Sequence, residues 1–91
     1  MNKEILQKAI DTYGVESQID VCIEEMSELT KALMIERIND GLFEEDWEYV
    51  VEKIADVKIM IEQLVMMFDC KDEVEEQVKF KVYRLKKRLE K

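Results

Sequence analysis

Between Val50 and Phe68 the apolar side chains return at steps of four and three: Val50, Ile54, Val57, Ile61, Leu64, Phe68. At 100° per residue those steps keep one face of an α-helix in register. No proline interrupts the chain anywhere, and there are only two glycines. A chain of 91 residues that is 40% charged, helical in period and poor in breakers, is expected to be all-α and a single domain over residues 1–91. A helix of more than about 20 residues is roughly 30 Å long, more than a compact chain of this length accommodates. The expected architecture is therefore a helical bundle of about four helices, completed by oligomerisation as a homodimer or a dimer of dimers.

The pattern places four helices. The first covers about residues 2–13, with Ile5, Leu6, Ala9, Ile10 and Tyr13 on one face. Gly14 ends it, because glycine enters the left-handed region at little cost. The second begins near Glu16 or Ser17, reaches about Ile38 and stops at Asn39-Asp40-Gly41. Its expected main core face is Ile19, Cys22, Ile23, Met26, Leu29, Thr30 and Leu33. The third runs from about Glu44 to about Asp69, opening with three acidic residues that suit a helix N-terminus. The stripe from Val50 to Phe68 is its expected core face. The fourth covers about residues 72–89, where Asp72 and Glu75 have the spacing of a capping box.

A second stripe on helix two carries the chemistry. Val21, Glu25, Glu28, Ala32 and Ile35 share a face that is apolar at both ends and acidic in the middle. Unpaired charge is expensive to bury, so a cation is expected there: a metal ion, or a lysine or arginine from a facing helix. Helix three repeats the pattern through Tyr49, Glu52 or Lys53, Asp56, Ile59 or Met60, Gln63, and Met66 or Met67. Two helices joined by a short loop pack antiparallel, which sets Glu25 and Glu28 opposite Asp56, with Glu52 one turn away. Converging carboxylates form a hard-oxygen site suited to Mg²⁺ or Mn²⁺. The plainer alternatives are solvated surface and salt bridging to Lys53 or Lys31.

Glu24-Glu25-Met26-Ser27-Glu28-Leu29 and Ile54-Ala55-Asp56-Val57 resemble the two signatures of the MazG-like all-α nucleoside triphosphate pyrophosphohydrolases. That family includes dimeric dUTPases and phosphoribosyl-ATP pyrophosphohydrolase. Its pattern is Glu-Glu-x-x-Glu followed after a spacer by Glu-x-x-Asp. The resemblance extends to Tyr13-Gly14, Gln18-Ile19-Asp20 and the basic end around Lys81 and Arg84. It implies Mg²⁺-dependent hydrolysis of a nucleoside triphosphate to monophosphate and pyrophosphate, as in nucleotide-pool house-cleaning. Glu25, Glu28 and Asp56 would be metal ligands, and Glu24, with Glu25, would orient or activate water. Lys31, Lys79, Lys81 and Arg84 would contact phosphate; solvated surface or subunit salt bridges are the competing reading.

The chain departs from that pattern at Lys53, where the second signature has glutamate. Lysine removes an oxygen donor and adds positive charge. Either Glu52 substitutes, since residues four apart share a helix face, or Lys53 takes the ion's place against Glu25, Glu28 or Asp56. The second outcome describes a catalytically degenerate member kept as an oligomeric binding or regulatory module. A third reading is a helical assembly protein whose carboxylates all face solvent.

Charge narrows the partners. The formal net charge is −8. Residues 1–78 hold 7 Lys and Arg against 21 Asp and Glu, a net −14, and residues 79–91 hold 7 against 1, a net +6. The acidic total argues against a specific nucleic-acid binder. Cys22 and Cys70 have no metal-type spacing and read as free thiols in a reducing compartment. Met1-Asn2-Lys3-Glu4 runs straight into an amphipathic segment, so neither a secretory signal nor a membrane span is expected and the location reads as cytoplasmic. With no histidine, imidazole chemistry and histidine-activated nucleophiles are excluded, and no glycine-rich phosphate loop is present. Met60, Met66, Met67, Trp47 and Tyr49 read as core or subunit-interface residues before they read as a base pocket.

Overall fold

A computed structural model describes residues 1–90. It is all-helical: α1 Lys3–Tyr13, α2 Val15–Asn39, α3 Glu44–Phe68 and α4 Lys71–Leu89. Local chemistry accounts for the breaks. Asn2 caps α1, its Oδ1 accepting from the Ile5 N–H at 3.2 Å. Gly14, at φ 89° and ψ 152°, is the sole residue between α1 and α2 and serves both. Its N–H donates to Ile10 O at 2.8 Å, and its carbonyl accepts from the Gln18 N–H at 3.1 Å. This backbone region is open almost only to glycine. Asp40 and Asp69 close α2 and α3 in the left-handed conformation, at φ 51° and 49°, which short polar side chains tolerate.

α2 and α3, each 25 residues long, form an antiparallel hairpin. Asn39 Nδ2 donates to Asp46 Oδ2 at 2.6 Å near the loop, and Lys53 meets Glu28 two turns further in. α1 packs against both helices, and α4 touches α3 alone among the described residues. The buried apolar residues are Leu6 and Ile10 from α1, Cys22 and Ala32 from α2, and Val50, Val57 and Met60 from α3. Cys22 is among the most enclosed, and burial pushes its thiol pKa up, so it stays a neutral core residue.

The faces differ from the sequence expectation. On α2 the acidic stripe, through Glu25, Glu28 and Ala32, turns toward α3, while Ile23, Met26, Thr30 and Leu33 face outward. On α3 Val50 and Val57 are buried, but Ile54, Ile61 and Phe68 are exposed, and Lys53, Met60 and Gln63 are drawn in. A helix with two apolar faces does not announce which one its nearest neighbour takes. The capping box at Asp72 and Glu75 is also corrected. α4 begins two residues after Asp69, so Cys70 is its N-cap, without a side-chain cap, and Asp72 already lies in the first turn.

The molecule is thin, 41 × 38 × 20 Å, with a radius of gyration of 16.2 Å against about 12 Å for a compact chain of this length. Its accessible surface is 7455 Å², against roughly 5,600 Å² for a compact monomer of its mass. No described helix is long and apolar enough to cross a membrane.

Candidate functional site

Antiparallel packing brings the middle of α2 to the middle of α3, and one lysine enters the space between the carboxylates. Lys53 Nζ lies 2.7 Å from Glu28 Oε2, 3.3 Å from Asp56 Oδ2 and 3.6 Å from Glu25 Oε2. The first two are hydrogen bonds. The Lys53 side chain is only 11% exposed, and the three carboxylates are 22–37% exposed. The Tyr49 ring, one turn earlier on α3, lies 5.4 Å from the ammonium and offers its π-face. Lysine suits this place because its flexible stem carries a compact charge with three donors.

The hydrogen bond to Glu28 holds the Lys53 pKa well above the ordinary lysine range, against the opposing effect of burial. The Asp56 hydrogen bond and the Glu25 and Glu28 charges reinforce it. Glu25 is pushed the other way for a carboxylate. Burial raises its pKa, Lys53 opposes, and Glu28 and Asp56 raise it further. Its Oε2 atom is enclosed without a hydrogen-bond partner. One ammonium among three carboxylates leaves the cluster short of positive charge, and Glu25 carries the shortfall.

The remaining sequence candidates lie outside the cluster. Glu24 and Glu52 are exposed, each next in sequence to a residue that points in. Glu52 is not among the carboxylates that surround Lys53. Lys31 is exposed on α2. Lys79, Lys81 and Arg84 are exposed on α4, which makes no contact with α2 among the described residues. Arg84 instead lies over the Phe80 ring, 5.6 Å from its centre.

Two polar residues were not singled out as site candidates. Gln18 and Gln63 are buried, 7% and 4% exposed, and Gln63 Oε1 has no partner. The signal for Gln63 was present in its spacing: it continues the stripe of Asp56 and Met60.

Among the described residues, no group of three or more histidine, cysteine or acidic side chains is arranged to hold a metal ion. The donor set as it stands does not fit a divalent cation, because the Lys53 ammonium already hydrogen-bonds Glu28 and Asp56. What the arrangement does is join two helices through a partly buried ionic cross-link. No protein-family model, curated protein or solved structure matches the chain.

Proposed function

We propose that the chain is a MazG-like helical module in which Lys53 stands in for the divalent ion, so that it acts as an oligomeric binding or regulatory protein without pyrophosphohydrolase activity. The observation that carries the reading is the Lys53 ammonium within 3.6 Å of Glu25, Glu28 and Asp56. The likeness of residues 24–29 and 54–57 to the two family signatures supports the family part. Self-association is supported by the exposed apolar face of the hairpin. Ile23, Met26 and Leu33 on α2, and Ile54 and Ile61 on α3, are 39–59% exposed. The surface in excess of a compact monomer, roughly 1,900 Å², is more than the about 800 Å² that each partner buries in a standard interface.

A second reading keeps Mg²⁺-dependent nucleoside triphosphate pyrophosphohydrolysis by the same carboxylates, with the Lys53 side chain displaced. It is favoured by Glu25 Oε2, which is enclosed without a hydrogen bond and has the Lys53 ammonium no nearer than 3.6 Å.

Pyrophosphate release from a panel of ribo- and deoxynucleoside triphosphates, with Mg²⁺ and then Mn²⁺, separates the two. The proposal expects no turnover by the natural chain. Turnover that disappears in Glu28→Gln overturns it in favour of the enzyme. Turnover by Lys53→Glu alone identifies the lysine as the block.

A further inference from the structure

Among the described residues α4 is the one helix with no buried residue; every position from 71 to 90 is exposed. It is nonetheless amphipathic. At 100° per residue Val74, Val78, Val82, Leu85 and Leu89 fall within one narrow stripe, and they are 40–76% exposed. Only the Val74 end has a neighbour: Lys71, Val74 and Glu75 lie beside Ile61, Glu62 and Val65 of α3. The charges are divided along the helix. Residues 71–78 contain Asp72, Glu73, Glu75 and Glu76 with Lys71, while residues 79–90 contain Lys79, Lys81, Arg84, Lys86, Lys87 and Arg88 with Glu90.

We propose that this stripe is covered by α4 of a second copy, running antiparallel and centred near Phe80. The inference rests on the self-association proposed above and gives it a second interface. The antiparallel register sets Val78 against Val82 of the second copy, Val74 against Leu85, and the Lys71 stem against Leu89. It also sets each acidic half against a basic half. Glu75 and Lys86 flank the stripe on the same side. Glu75 then meets Lys86 of the second copy, and twofold symmetry repeats the pair. A parallel pairing brings the acidic ends together and the basic ends together, which like-charge repulsion opposes. The leucines of the second copy also come to rest beside Ile61 and Val65, so the apolar surface continues from α3 onto α4.

The test is sedimentation of the full chain over a concentration series. Glu75→Lys, and separately Lys86→Glu, should each weaken self-association by about tenfold. Both substitutions in one chain should restore it, because the antiparallel pair is re-formed with signs exchanged. If the two-substitution chain stays weak, the inference fails, and the basic half docks elsewhere, as on the acidic surface of the hairpin. If neither substitution changes the assembly, α4 lies outside the interface; this also overturns the inference while leaving self-association through α2 and α3 intact. A natural chain that is monomeric throughout overturns both.

These reversals oppose the helix dipole, so a second measurement does not depend on them. With Cys22→Ala and Cys70→Ala in place, Val74→Cys and Leu85→Cys chains should form a mixed disulfide dimer when combined under oxidation. Neither should cross-link by itself. Cross-linking of either chain with itself, or none in the mixture, contradicts the antiparallel register.

Discussion

Lys53 Nζ lies 2.7 Å from Glu28 Oε2, across the boundary between α3 and α2. Lys53 also hydrogen-bonds Asp56 one turn further along α3 at 3.3 Å, but the shorter bond crosses between helices. The pair exists because the hairpin brings residues 25 apart in sequence to the same level. Its removal therefore reports on tertiary packing and not on local helix content.

Lys53→Met should lower the unfolding temperature by about 5 °C or more. It leaves Glu25, Glu28 and Asp56 facing one another without their cation, and a partly buried charge stripped of its partner is worse than no pair. Thermal unfolding followed by far-UV circular dichroism measures this. An unchanged transition would mean that the ammonium is solvated and makes no net contribution.

The same pair has a pH signature. The pKa of Lys53 is raised in the fold, chiefly by its hydrogen bond to Glu28, so the folded chain holds that proton more tightly than the unfolded chain does. The resulting stabilisation is complete below about pH 10.4, the value of an unperturbed lysine, and is lost as pH rises through the folded value. The advantage of the natural chain over Lys53→Met should be constant from pH 8 to about pH 10 and shrink above it. A gap that persists undiminished into stronger alkali contradicts this.

Glu25 and Glu28 should respond differently to the same substitution. Glu28→Gln weakens a charge-assisted hydrogen bond and should cost about 1 kcal/mol. Glu25 has its pKa raised by burial, so the fold favours its protonated form. Its stabilising contribution is present at low pH and is lost as pH rises through its folded value. Glu25→Gln should thus be at least as stable as the natural chain at pH 7, the difference vanishing as pH falls through the carboxylate range. Urea unfolding at both pH values measures it, and a loss at pH 7 equal to that of Glu28→Gln refutes the distinction.

Gly14→Ala should destabilise the chain by about 1–3 kcal/mol. An added Cβ meets no atom within 4 Å, so the cost comes from backbone conformation alone. The φ of 89° and ψ of 152° exclude an ordinary side chain. Urea unfolding with an unchanged slope and a lower midpoint is the expected result; an unchanged midpoint would place Gly14 elsewhere in conformational space.

The helix breaks were readable because they are local. Gly14 and Asn39-Asp40-Gly41 end α1 and α2 where their chemistry says, and α3 opens at Glu44. The meeting of Glu25, Glu28, Lys53 and Asp56 was readable because a short loop and a repeating period leave little freedom in register. The ranking of faces was not. Ile23, Met26 and Leu33 form a stripe as apolar as any on α2, yet the close approach to α3 is made where Ala32 and Cys22 are small. Periodicity reports that a face is apolar, not which neighbour covers it. The capping box at Asp72 and Glu75 failed for a related reason. The position of an N-cap depends on where the preceding helix stops, and Asp69 stops α3 in a left-handed conformation that sequence alone rarely assigns to a residue other than glycine. Lys79, Lys81 and Arg84 were joined to the carboxylates by resemblance only, and nothing in their spacing fixes the angle at which α4 leaves α3.

The claim that Lys53 stands where a metal ion would is tested most directly by Mn²⁺ titration of the natural chain, followed by the paramagnetic resonance of free Mn²⁺. The free signal should rise in proportion to added metal, without saturable uptake, while Lys53→Glu removes ions from solution at about one per chain. Saturable binding by the natural chain that is lost in Glu28→Gln would contradict the account and return the cluster to metal chemistry.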